Sequence, residues 1–185
     1  MLNDSDSIGT TAYAPLTDMQ IAAVLRTALN PSNRFLPINS PIRVKFLLRL
    51  ILALEGVKEV AKRPYGRLLD ELVHSCREIL LIGLPIPQHR GSILWNLGVN
   101  LSVRFDENGI EQDLEDSINV FKDCLAIANL PIPRSVILFN LGINQAKLCD
   151  DLDPTNNINE AISTLEEYLK LYLGTLGIGG ESTCH

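Results

Sequence analysis

Histidines and cysteines are the first candidates for nucleophilic or metal chemistry in this chain, and their spacing works against both. Cys76, Cys124, Cys149 and Cys184 include no C-x-x-C pair, and only three histidines could join them, so neither a zinc site nor a disulfide framework is implied. His74 and Cys76 stand two apart on one expected helix, about 200° apart around its axis, and therefore face different ways. A cysteine acting with His89 would need a tertiary coincidence. Cys76 and Cys124 sit in apolar-periodic segments, where a cysteine behaves as a small buried hydrophobe. Asp150-Asp151-Leu152-Asp153 lacks the central glycine and closing glutamate of a calcium loop and reads as a solvated turn before Pro154. No glycine-rich phosphate loop, G-x-S-x-G, H-E-x-x-H or Walker-type lysine occurs. We therefore expect no catalytic residue, metal or cofactor, and no enzyme.

Amides are the more suggestive residues. Asn96 and Asn100 recur as Asn140 and Asn144, each pair at i and i+4, although asparagine is a mediocre helix former. On the concave face of stacked helix pairs such amides would offer a donor and an acceptor to a bound peptide. The alternative is that they tie adjacent helices together or face water. Trp95 and Phe139 precede the first asparagine of each pair, and an aromatic at helical spacing belongs to a core more often than to a binding surface. Asn96, Asn100, Asn140, Asn144, Trp95 and Phe139 form the candidate partner-binding set, to which Arg134 and Lys147 could add positive charge.

The elements that must position these residues are internal repeats. Leu84-Pro85-Ile86-Pro87 returns as Leu130-Pro131-Ile132-Pro133, appears upstream as Leu36-Pro37-Ile38-Asn39 and decays downstream to Leu176-Gly177-Ile178-Gly179, at spacings of 48, 46 and 46 residues. Between tags, Leu94-Trp95-Asn96-Leu97-Gly98-Val99-Asn100 matches Leu138-Phe139-Asn140-Leu141-Gly142-Ile143-Asn144 at a displacement of 44. Each repeat reads as two helices. The first follows the tag, with Leu94, Leu97 and Leu101, then Leu138, Leu141 and Leu148, at helical spacing. The second carries Leu114, Ile118, Phe121 and Leu125, then Ile158, Ile162, Leu165 and Leu169. Asn157 with Glu160 predicts a capping box, and Asp113 with Asp116 a weaker one.

Two smaller signals concern packing. Gly98 and Gly142 recur inside first helices, where glycine costs about 1 kcal/mol against alanine, so a paired helix should pass too close for a Cβ. Arg104 and Asp113 would face each other across the helix turn, and both change together in the next copy, to Leu148 and Asn157.

The expected organisation is a polar, disordered segment over 1–15, then an all-α array over 16–173: a lone helix at 16–29 and repeats at about 36–83, 84–129 and 130–175, about seven helices in all. A flexible tail over 174–185 follows. With 46% hydrophobic residues the chain can fill a core, and 22 acidic against 16 basic residues, net -6, disfavours a nucleic-acid partner. The N-terminus has no signal-peptide pattern, and the most apolar stretch, broken by Arg49, is too short to span a bilayer. A cytoplasmic protein, not bound to membrane, is expected.

The run Asn96-Leu97-Gly98, Arg104-Phe105, Gly109, Asp113-Leu114 and Ser117-Ile118 resembles the long-period tetratricopeptide repeats of fungal proteins, in which such arrays often precede a caspase-like CHAT protease domain or follow an NTPase module. The resemblance covers about residues 84–173 and extends weakly from residue 36. The general tetratricopeptide pattern is met by Leu97-Gly98 and Leu141-Gly142 and by the small residues Ser117 and Ala161. The period of 44 to 48 is longer than that family's usual one. The resemblance implies a right-handed α-solenoid of antiparallel helix pairs and a noncatalytic protein–protein interaction module that takes a peptide or helix in its concave groove. A second expectation is a structural or regulatory sensor fragment of a fungal signalling protein, detached from its effector domain and able to self-associate.

Overall fold

The computed structural model describes residues 41–60, 66–84, 87–151 and 157–176. The expected segment 1–15, the lone helix 16–29, the first tag and the tail beyond residue 176 lie outside them. The described residues form six helices and no strand: α1 Pro41–Val60, α2 Arg67–Ile82, α3 Pro87–Asn108, α4 Glu111–Leu125, α5 Arg134–Asp151 and α6 Asn157–Thr175. Each packs chiefly against the helices before and after it in the chain, and α3 also touches α5. This sequential, all-helical packing is that of a solenoid-like helical repeat.

The helix ends follow local chemistry. Pro41 and Pro87 open α1 and α3, where a missing N–H costs nothing. Gly109 closes α3 with φ 66°, a left-handed conformation suited to glycine, and donates its N–H to the Phe105 carbonyl at 2.7 Å. Three details differ from expectation. α4 starts two residues before Asp113, with Ile110 at its N-cap and no capping side chain. Asp150 and Asp151 close α5 rather than forming a turn, and α6 runs to Thr175, past the expected start of the tail.

The core is a chain of overlapping clusters. One holds Leu50, Ile51, Leu54 and Val57 of α1, Leu72, Cys76 and Ile79 of α2, and Ile93, Leu97 and Leu101 of α3. The next joins Leu94 of α3 to Leu114, Ile118, Phe121 and Cys124 of α4 and Ile137 and Leu141 of α5. α3 thus serves both, with Leu97 turned to one cluster and Leu94 to the other. Each fully buried Leu, Ile or Phe contributes roughly 1.5–3 kcal/mol relative to exposure, so the stacking interfaces carry most of the stability.

The recurrent glycines mark where paired helices approach most closely. A Cβ on Gly98 would lie 2.7 Å from Cε1 of the buried Phe121, and one on Gly142 would lie 2.6 Å from Cδ2 of Leu165. Gly56, inside α1, has nothing within 4 Å of that position. Gly98→Ala should therefore destabilise the protein by about 1–3 kcal/mol through overpacking. Gly56→Ala should stabilise it by up to about 1 kcal/mol through helix propensity. Urea denaturation of the two variants, with opposite shifts in midpoint, checks both.

Candidate functional site

The four asparagines divide in two. Asn100 is fully buried: its Oδ1 accepts from Lys58 Nζ at 2.8 Å, and its Nδ2 donates to Glu55 Oε1 at 2.7 Å and to the Asn96 carbonyl at 2.8 Å. Lys58 and Glu55 are themselves paired at 2.5 Å. Asn144, 2% exposed, accepts from Ser102 Oγ at 2.9 Å and donates to Ser117 Oγ at 2.8 Å, while Ser117 donates to the Gly98 carbonyl at 2.8 Å. Asn100 joins α3 to α1, and Asn144 joins α5 to α3 and α4. Their amides are occupied inside the array and are not presented to a partner, which corrects their place in the candidate binding set. The other reading, amides tying adjacent helices, accounts for why they recur.

Asn96 and Asn140 are half-buried and nearer the surface, Asn140 Nδ2 donating to its own helix at the Val136 carbonyl, 2.9 Å. The aromatic pair divides too. Trp95 is packed against the second core cluster with its ring 5.6 Å from that of Phe121. Phe139 is 44% exposed and stands 5.2 Å from Tyr168, which stacks on Tyr172 at 5.7 Å. Val136 and Ile143, one turn to either side of Phe139 and Asn140, are exposed as well. Of the candidate set, Phe139 and Asn140 thus share an accessible aromatic and aliphatic surface on the last helix pair. Spacing does not single out Tyr168 and Tyr172, since the matching residues one repeat earlier are Cys124 and, beyond the end of α4, Ala128.

The nearby cations are engaged: Arg134 pairs with Glu167 at 3.0 Å and donates to the Leu125 carbonyl, and Lys147 pairs with Asp106 at 2.6 Å. Arg104 and Asp113 meet as expected across the α3–α4 turn, with bonds of 2.6 and 2.5 Å, and Arg104 reaches Asp70 of α2 at 3.2 Å. Asp113 is almost completely buried, so its carboxylate serves this bridge and not the helix end. The hydrogen bonds that Arg104 donates to Asp113 raise the Arg104 pKa further.

A second open surface lies on α6. In α4 the positions Leu114 and Ile118 are buried in the second core cluster and Leu125 packs against it; the matching α6 residues Ile158, Ile162 and Leu169 are about half exposed. Leu173 and Leu176 extend the stripe.

Thiol chemistry finds no support in the geometry. Burial pushes Cys76 up to about 12, with Glu55 adding to the effect, and burial pushes Cys124 to about 11. His74 is exposed while Cys76 is buried, on opposite faces of α2. Among the described residues no group of three or more His, Cys, Asp or Glu is placed to hold a metal, and no helix is long and apolar enough to cross a membrane. No protein-family model matches the chain, and neither does any curated protein or solved structure compared with it.

Asn100→Ala and Asn144→Ala should each lose about 1–3 kcal/mol, because each strands buried partners, whereas Asn96→Ala should stay within about 0.5 kcal/mol. Chemical denaturation of the three variants distinguishes a tie between helices from a surface contact. Because both thiols are raised above their ordinary 9.0 in the folded state, they favour folding below pH 9, and that contribution declines as pH climbs toward 11 and 12. Cys76 and Cys124 should resist a thiol reagent near neutral pH until the protein is unfolded, as mass spectrometry of labelled peptides would show.

Proposed function

We propose that the chain is a noncatalytic protein-interaction module of the tetratricopeptide-like kind, binding a peptide or helix across the last helix pair. The observation that carries the reading is the aromatic row of exposed Phe139, half-buried Tyr168 and exposed Tyr172, bordered by Val136 and Ile143 and by the amide of Asn140. Clustered aromatics offer large contact area with few rotors to immobilise, which is why they dominate binding energy in interfaces. In a tetratricopeptide-like array this side of α5 belongs to the groove lined by first helices, with Phe139 as anchor and Asn140, and Asn96 one repeat earlier, beside it. The acidic balance and protonated, buried thiols fit an intracellular setting and a partner other than nucleic acid.

A second reading is favoured by the α6 stripe. Ile158, Ile162 and Leu169 stand where the preceding repeat receives its next first helix, so a second copy could be received by the same packing. The chain would then be a self-associating structural or sensor fragment, of the sort found in fungal signalling proteins.

Affinity capture with the native chain and with a Phe139→Ala, Tyr172→Ala variant, both checked by circular dichroism, tests the first reading. Loss of an aromatic anchor should weaken the retained partner by about 2 kcal/mol, roughly thirtyfold in Kd. Unchanged capture by the folded variant would remove this surface from the reading. Light scattering of the native chain and of Ile162→Glu with Leu169→Glu tests the second: a concentration-dependent dimer that the double variant abolishes supports it, and a monomer throughout refutes it.

A further inference from the structure

The apolar row on α6 runs through Ile158, Ile162, Leu169, Leu173 and, just past the helix, Leu176, all of them exposed. At 1.5 Å per residue it is about 27 Å long, and helical spacing keeps its members on one face. Glu166 and Lys170, both exposed, stand one turn apart along one flank of the row. The other two charged residues of α6 are turned toward the array: Glu160 pairs with Lys122 of α4 at 2.7 Å, and Glu167 with Arg134 of α5 at 3.0 Å. Glu166 and Lys170 are therefore the ionic groups that border the row.

A surface that covers such a row has to offer a matching one. Among the described residues no other helix does. α1 exposes Ile42 and Leu52 with Lys45 and Arg49 exposed between them, and Val136, Phe139 and Ile143 of α5 belong to the aromatic surface. Within this chain the best match for α6 is α6 itself. A face that pairs with the same face of a second copy is closed by a two-fold axis.

We propose that two copies of this chain pair through α6, antiparallel about a two-fold axis level with Tyr168, with Glu166 of each copy against Lys170 of the other. This pairing rests on the second reading above, in which α6 is an open face for another copy, and assigns α6 rather than a first helix as its occupant. Charge decides the orientation. A two-fold axis perpendicular to both helices returns the same flank to the same side with the chain direction reversed, so Glu166 meets Lys170 twice. A parallel pair in register would set glutamate on glutamate and lysine on lysine. The antiparallel register suits the apolar residues as well. Ile162 falls within one residue's rise, about 1.5 Å, of the level of Leu173 of the second copy, and the two Leu169 side chains meet near the axis. A single helix face lies at the small end of specific interfaces, so the dimer should form reversibly.

Sedimentation equilibrium of the full chain tests the pairing, with Glu166→Lys, Lys170→Glu and the double reversal, each confirmed as helical by circular dichroism. Both positions are exposed, so the fold itself should be unaffected. The native chain should form a dimer and nothing larger. Each single reversal sets like charges at both contacts and should weaken the dimer at least about fivefold, whereas the double reversal restores opposite charges and should return it to less than about fivefold from native. A dimer that either single reversal weakens less than this, or that the double reversal fails to restore, overturns the antiparallel pairing while leaving α6 as an open face. Growth beyond the dimer does the same, because it marks head-to-tail stacking. A native chain that stays monomeric at every concentration overturns both the pairing and the reading it rests on.

Discussion

No helix pair in this protein can bury its own apolar surface, and the rest of the structure depends on how successive pairs cover one another. α3 illustrates the constraint: Leu97 and Leu101 close the cluster behind it, while Leu94 opens the one ahead. Hydrophobic area alone would allow neighbouring pairs to slide in register, because one apolar stripe packs on another at several offsets. Asn100 and Asn144 remove that freedom. Each places an amide where only one alignment satisfies it, against Glu55 and Lys58 in the first case and Ser102 and Ser117 in the second. A buried amide that is costly when misaligned specifies register more than it adds stability.

The glycines, the serine and the amide act together. Gly98 lets Phe121 approach, and that approach brings Ser117 within reach of the Gly98 carbonyl and of Asn144. Ala161 stands at the matching position in α6, buried and without a hydroxyl, so the polar link is not continued there. The last pair thus departs from the pattern in both chemistry and coverage, and it is the pair that carries the exposed aromatic row and the open aliphatic stripe. Apolar side chains are left exposed here, where the repeated packing is not continued among the described residues.

Much of this was legible from residues alone. The helix pairs, the close approach at Gly98 and Gly142, the Arg104–Asp113 bridge and the buried thiols follow from period, recurrence and paired substitution, each of which reports a local relation. What escaped was coverage. Period places Asn96 and Asn100 on one face, yet Asn100 is sealed by α1 while Asn96 stays near the surface, and nothing in the spacing of α3 tells which neighbour lies over which turn. Asp113 resembles a cap because acidic residues suit helix starts, but its carboxylate is taken by a guanidinium from the preceding helix.

The tertiary hydrogen bonds have a shared property: those joining α1 to α3 and α3 to α5 span 41 to 45 residues, about one repeat. Loop closure therefore never has to reach across the whole chain, and the entropy cost of each closure stays small. In an array whose units contact only their neighbours, folding can nucleate at one pair and spread to the next. Folding of this kind is a zipper whose teeth are the amides.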